Sequence, residues 1–75
     1  MTTITSILVF KTNIYRKRDV SAIKSILKNQ TEIINWNIDL MDCDKVLRIE
    51  TKTLNACQIT QLILNAGFQC QELED

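Results

Sequence analysis

The sequence predicts an α+β sandwich in which two helices cover one face of a four-stranded antiparallel sheet, with the elements running β-α-β-β-α-β. Three observations carry this. Residues 34–40 and 47–51, either side of a short turn, alternate apolar and polar at the two-residue period of a half-buried strand. Two other stretches, 20–28 and 55–66, place their apolar residues at helical spacing. The breaks between these stretches are only a few residues long, which leaves no room for a structureless loop.

The elements follow in order. "SILVFK" is rich in β-branched and aromatic residues and too short for a helix, so residues 4–12 read as a strand. Leu8 and Phe10 share one face, and Ile7 and Val9 the other. From Val20 the period changes: Val20, Ile23 and Leu27 form a stripe opposite Lys24 and Lys28, a helix of about ten residues that "NQT" at 29–31 ends. In "IINWNIDL", Ile34, Trp36, Ile38 and Leu40 alternate with Asn35, Asn37 and Asp39. "MDCDK" turns the chain, and Leu47, Ile49 and Thr51 return as the hairpin partner, with Arg48 and Glu50 facing out.

The second helix has the clearest start. Asn55 is a capping residue, Gln58 stands where a capping box needs it, and Leu54 can staple onto Ile59. Ile59, Leu62, Ile63 and Ala66 form its buried stripe, and Gly67 supplies the left-handed stop. "FQCQEL" closes the sheet with Phe68 and Cys70 inward. Right-handed crossovers and one apolar sheet face to cover reduce this order to the ferredoxin-like βαββαβ sandwich.

With 75 residues, the chain is expected to be one domain, 1–75, burying only about 60% of its unfolded surface. It is 45% apolar and 24% charged, with a single Gly and no Pro, a globular composition. No apolar run approaches a membrane span, and the N-terminus lacks the order of a signal peptide, so the expected location is cytoplasmic. Cys43, Cys57 and Cys70 are then free thiols. Enzymatic function is not expected: the chain has no His, no serine beside a base and no carboxylate pair in a cleft. Zero net charge and only four aromatics argue against a nucleic-acid platform.

The charge is nevertheless divided. Residues 1–31 carry +5 and the remainder −5, a polarity suited to self-association or to a partner of matching charge. The topology gathers the first loop (13–19), the hairpin turn (41–45) and the turn at 66–68 at one end of the sheet. The candidate partner-binding residues are therefore Arg16, Lys17 and Arg18, with Asp42, Asp44 and Phe68 as neighbours. Cations at a helix start oppose its dipole, which predicts ion pairs from these residues to Asp42 and Asp44. Asp19, directly before Val20, reads as a helix cap or first-turn carboxylate. Ile7, Val9 and Val46 are expected on the open sheet face, as a patch through which two copies could pair.

Taken together, "AIKSIL", "NWNIDLMDCDKVLRIE" and "LNACQITQLILNAGFQCQEL", with its Ala66-Gly67-Phe68 turn, resemble the heavy-metal-associated domain of copper chaperones and copper-transporting ATPases. The resemblance runs from residue 7 to 73 and implies the same fold. That family holds Cu(I) with a Met-x-Cys-x-x-Cys signature across the first loop. Counting back from Leu27 puts Ile14 at the Met position, Arg16 at the first cysteine and Asp19 at the second. A guanidinium and a hard carboxylate cannot replace soft thiolates. The resemblance thus implies a degenerate site with no cofactor, converted to a cationic surface for an acidic protein. The alternative is soft-metal binding through Cys43, bridged across a dimer.

Overall fold

The computed structural model describes residues 5–73. The elements are β1 (Ser6–Thr12), α1 (Lys17–Lys28), β2 (Ile33–Asp39), β3 (Val46–Thr51), α2 (Ala56–Asn65) and β4 (Cys70–Glu72), in the expected order. Residue 4, the first of the expected opening strand, lies outside the described residues. The sheet order is β2-β3-β1-β4, and every neighbouring pair is antiparallel. This is the ferredoxin-like sandwich.

One apolar cluster holds it together. Phe10 from β1, Leu47 and Ile49 from β3, Ile23 and Leu27 from α1, and Ile59 and Ile63 from α2 all belong to it, so both helices lie on the same sheet face. Fully burying such side chains contributes about 1.5–3 kcal/mol each before chain entropy is subtracted. The inward residues of β1 and β3 are those that the two-residue period assigns.

Four local details depart from the sequence-based expectation. First, α1 begins a turn earlier, at Lys17, and has 12 residues. Asp19 accepts the Arg16 N–H at 3.2 Å from the third helical position, so it closes the first turn from within and is not the cap. Second, the β2–β3 register slips between Ile33 and Asn35, a bulge. Ile33 therefore packs on the core while Ile34, expected inward, is 47% exposed. Third, Val46 is buried, which leaves Ile7 as the exposed large hydrophobic residue of the supposed open-face patch. Fourth, Ile14 is 0% exposed and part of the core cluster, although it lies in a loop between the periods of strand and helix.

Among the described residues no helix is long and apolar enough to cross a membrane. Cys43 and Cys57 are exposed and Cys70 is partly buried, and all three are free thiols. Burial pushes the Cys70 thiol up, an effect the Thr60 side chain partly offsets by hydrogen bonding.

Candidate functional site

Three connections meet at one end of the sheet, and hydrogen bonds lock them together. The Thr12 hydroxyl donates to the Lys45 carbonyl at 2.7 Å, and the Thr12 N–H donates to the Asp44 carbonyl at 3.1 Å, fastening the end of β1 to the hairpin turn. The same hydroxyl accepts the Ile14 N–H at 3.2 Å. Asn13 Oδ1 accepts the Gln69 N–H at 2.9 Å, which ties the first loop to the chain leading into β4. With Ile14 buried beneath it, the loop is anchored by an apolar plug and a polar seam.

That anchoring turns Tyr15 and the basic run outward. Tyr15 is 56% exposed, and the Arg16 guanidinium lies 4.9 Å from its ring centroid, a cation–π stack that stiffens both side chains at the surface. Arg16 occupies the N-cap position of α1, and Lys17 and Arg18 begin its first turn, all three exposed. Arginine offers no acceptor for the helix's free N–H groups, so half of the usual capping exchange is missing here.

The expected cross-loop ion pairs are not formed. Among the described residues Asp44 pairs with Lys11 at 3.6 Å, and no ion pair involves Arg16, Lys17 or Arg18. The hairpin acids serve the turn itself. Asp39 Oδ1 accepts the Met41 and Asp42 N–H groups at 3.0 and 3.3 Å, and Asp42 Oδ1 accepts the Asp44 N–H at 2.8 Å. Lys45 completes the turn at φ +49°, its ammonium donating to the Leu40 carbonyl at 2.8 Å. An exposed pair such as Lys11–Asp44 contributes at most about 1 kcal/mol.

Phe68 packs against the core from just beyond the Gly67 turn, so its ring supports this end instead of projecting from it. Met41 at the hairpin tip is 94% exposed, a residue that the sequence pattern did not single out as a surface anchor. The signal was available: Met41 follows the last inward position of the alternating run and precedes a turn. Tyr15 carried no such signal, since loop residues have no period to assign their side.

Asp42, Cys43 and Asp44 place one ligand atom each within 4.8 Å of one another. Their donors are a thiol and two hard carboxylates already engaged by the turn and Lys11. A Cu(I)-like ion prefers soft sulfur pairs, so this set does not match its chemistry. Cys57, in the first turn of α2, is at the far end of the sheet, and the three thiols do not converge.

No family model matches the chain, and no curated protein matches it in sequence. Solved structures do. The apo HMA domain of a copper chaperone for superoxide dismutase superposes with a TM-score of 0.80 at 17% identity, over 95% of this chain and 69% of that one. The first domain of the human copper chaperone for superoxide dismutase, in its copper(I)-loaded form, gives 0.78 at 19% identity over 92% and 93%. A yeast copper-transporter domain, determined in apo and copper(I)-loaded states, gives 0.78 at 17% over 92% and 96%. The chain therefore has the heavy-metal-associated fold. The likeness shows the architecture alone.

Proposed function

We propose that this chain is a one-domain, cytoplasmic binding module, not an enzyme, whose contact surface is the loop end of a heavy-metal-associated fold without its metal ligands. The observation that supports it most is the state of the first loop. Ile14 is sealed into the core, and Arg16 stands, without a side-chain cap, at the helix's N-cap position, where the resemblance expects a thiolate. What reaches solvent is a stacked Tyr15–Arg16 pair followed by Lys17 and Arg18, with Met41 on the neighbouring turn. An exposed aromatic and a methionine beside cations that form no ion pair among the described residues are the residue types that anchor protein interfaces and set partner choice by charge. The partner class is a protein with an acidic surface.

The experiment is a titration of isotopically labelled protein with an acidic, aromatic-poor peptide, followed by amide chemical shifts. Shifts confined to residues 14–18 and 41–44, lost in Arg16→Glu and weakened by salt, are expected. No shift at residues 14–18 would overturn the reading.

Soft-metal binding through Cys43 is the second reading, motivated by that exposed free thiol at the loop end. Native mass spectrometry with Cu(I) separates the two. The contact-surface reading expects no stoichiometric copper, and copper retained by the wild type but lost in Cys43→Ser would replace it.

A further inference from the structure

We propose that β2 is a self-recognition edge, where a second copy of this chain pairs antiparallel about a two-fold axis at Trp36 and extends the sheet. The inference is independent of the loop-end surface.

β2 is an outer strand of the sheet and has 7 residues. The other outer strand, β4, has only 3. Open edges are normally blunted by charges, Pro or shortness. From Ile33 to Ile38 this one has no charged residue and no Pro.

The side chains of β2 are self-complementary. Residues 34–38 read Ile-Asn-Trp-Asn-Ile, the same in both directions. Antiparallel pairing of two copies centred on Trp36 sets Trp36 opposite Trp36 of the partner subunit and Asn35 opposite Asn37 of the partner subunit. Aromatic meets aromatic and amide meets amide, which cross-strand pairing rewards. The bulge takes Ile34 out of the regular alternation and leaves it, at 47% exposure, at the rim of this seam.

The backbone is available as well. The Trp36 N–H donates to its neighbour's side chain, Asn35 Oδ1, at 2.9 Å instead of joining the ladder to β3. Alternate residues of an antiparallel strand turn their groups to opposite sides, so this donor lies on the free edge. In the pair, Trp36 exchanges its N–H and C=O with Trp36 of the partner subunit, and the Ile38 N–H, two residues on along the same free edge, is covered by the partner strand. The released Asn35 amide is then free to meet the partner's Asn37.

Charge fits the same axis. Glu50 is the β3 neighbour of Asn35, and Arg48 is that of Asn37. Pairing Asn35 with the partner's Asn37 therefore aligns Glu50 of one chain with Arg48 of the other along a single row. No like charges face each other across the seam.

The test is sedimentation of the intact chain from micromolar to millimolar concentration, with amide hydrogen exchange at both extremes. A dimer forming with concentration, and protection gained at Trp36 and Ile38, is expected. Ile34→Lys should raise the dissociation constant at least about tenfold by placing charge at the seam, with an unchanged melting temperature because Ile34 is outside the core. Asn37→Lys, exposed on the opposite face, supplies the same readout should the first variant fold poorly. Arg16→Glu should leave the dimer intact. A monomer at every concentration, a dimer indifferent to both lysines, or protection gained on β4 in place of β2 would overturn the proposal.

Discussion

The two helices of this domain start in opposite ways. At α2, Asn55 Oδ1 accepts the Gln58 N–H and Gln58 Oε1 accepts the Asn55 N–H, both at 2.9 Å, a complete reciprocal box with Leu54 packed against the core beside it. At α1, Asp19 supplies one half and Arg16 cannot supply the other, while Lys17 and Arg18 add positive charge to the positive end of the helix dipole. α2 begins as stability demands. α1 begins against its own electrostatics and is held by burial of Ile14 and by the Thr12 and Asn13 seam. Among the described residues the cations at this start form no ion pairs, and that uncompensated charge is what motivates the contact-surface proposal.

The contrast can be broken most forcefully at its anchor. Ile14→Ala is expected to cost about 2–5 kcal/mol, because it leaves a cavity beneath α1. Urea denaturation should show this, and a loss below the size of an exposed-site change would mean that the polar seam alone positions the loop. Ile14→Met, close in volume, should cost less than about 1.5 kcal/mol.

Next in size is the stop of α2. Gly67 has φ +91°, with nothing within 4 Å of where a Cβ would stand. Gly67→Ala should therefore cost roughly 1–2 kcal/mol from backbone conformation alone, without a packing defect, visible as a lower melting temperature with an unchanged urea slope.

The caps themselves sharpen the comparison. Asn55→Ala should destabilise by about 1 kcal/mol. Arg16→Asn should do the reverse, gaining a few tenths up to about 1 kcal/mol by completing the box at α1. A stabilised Arg16→Asn protein that has lost the acidic-peptide response would demonstrate the trade directly. If Arg16→Asn destabilises instead, the Tyr15 stack is structural.

The smallest expected effect is at Cys70. Its thiol is raised by burial, so the neutral form is favoured in the folded state. That contribution is complete below the ordinary thiol range and is lost as pH rises through the raised value. Cys70→Ala should flatten the alkaline fall in stability slightly. In the folded protein, alkylation should modify Cys43 and Cys57 well before Cys70.

Much of the fold was legible in the sequence, and so was the meeting of three connections at one end of the sheet. The strand period in residues 34–40 and 47–51, the helical stripe from Ile59 to Ala66 and the Ala66-Gly67-Phe68 turn each state their element locally. The side-chain partners at the site were less legible. Asp42 and Asp44 face the cationic loop in topology, yet the Asp44 N–H two residues on takes Asp42 at less entropic cost than an arginine across a gap, and Asp44 pairs with Lys11 of β1. Ile34 read as inward because a two-residue period cannot announce a bulge.

The sequence by itself determined the elements, their order, the α2 cap and the absence of cysteine at positions 16 and 19, since all of these depend on residues a few positions apart. Only the tertiary structure decided that Ile14 is a plug, that Tyr15 and Met41 stand in solvent, and that Lys11 takes Asp44. Those outcomes depend on which distant segments meet, and competition among them for one buried volume or one carboxylate is settled only when the chain is assembled.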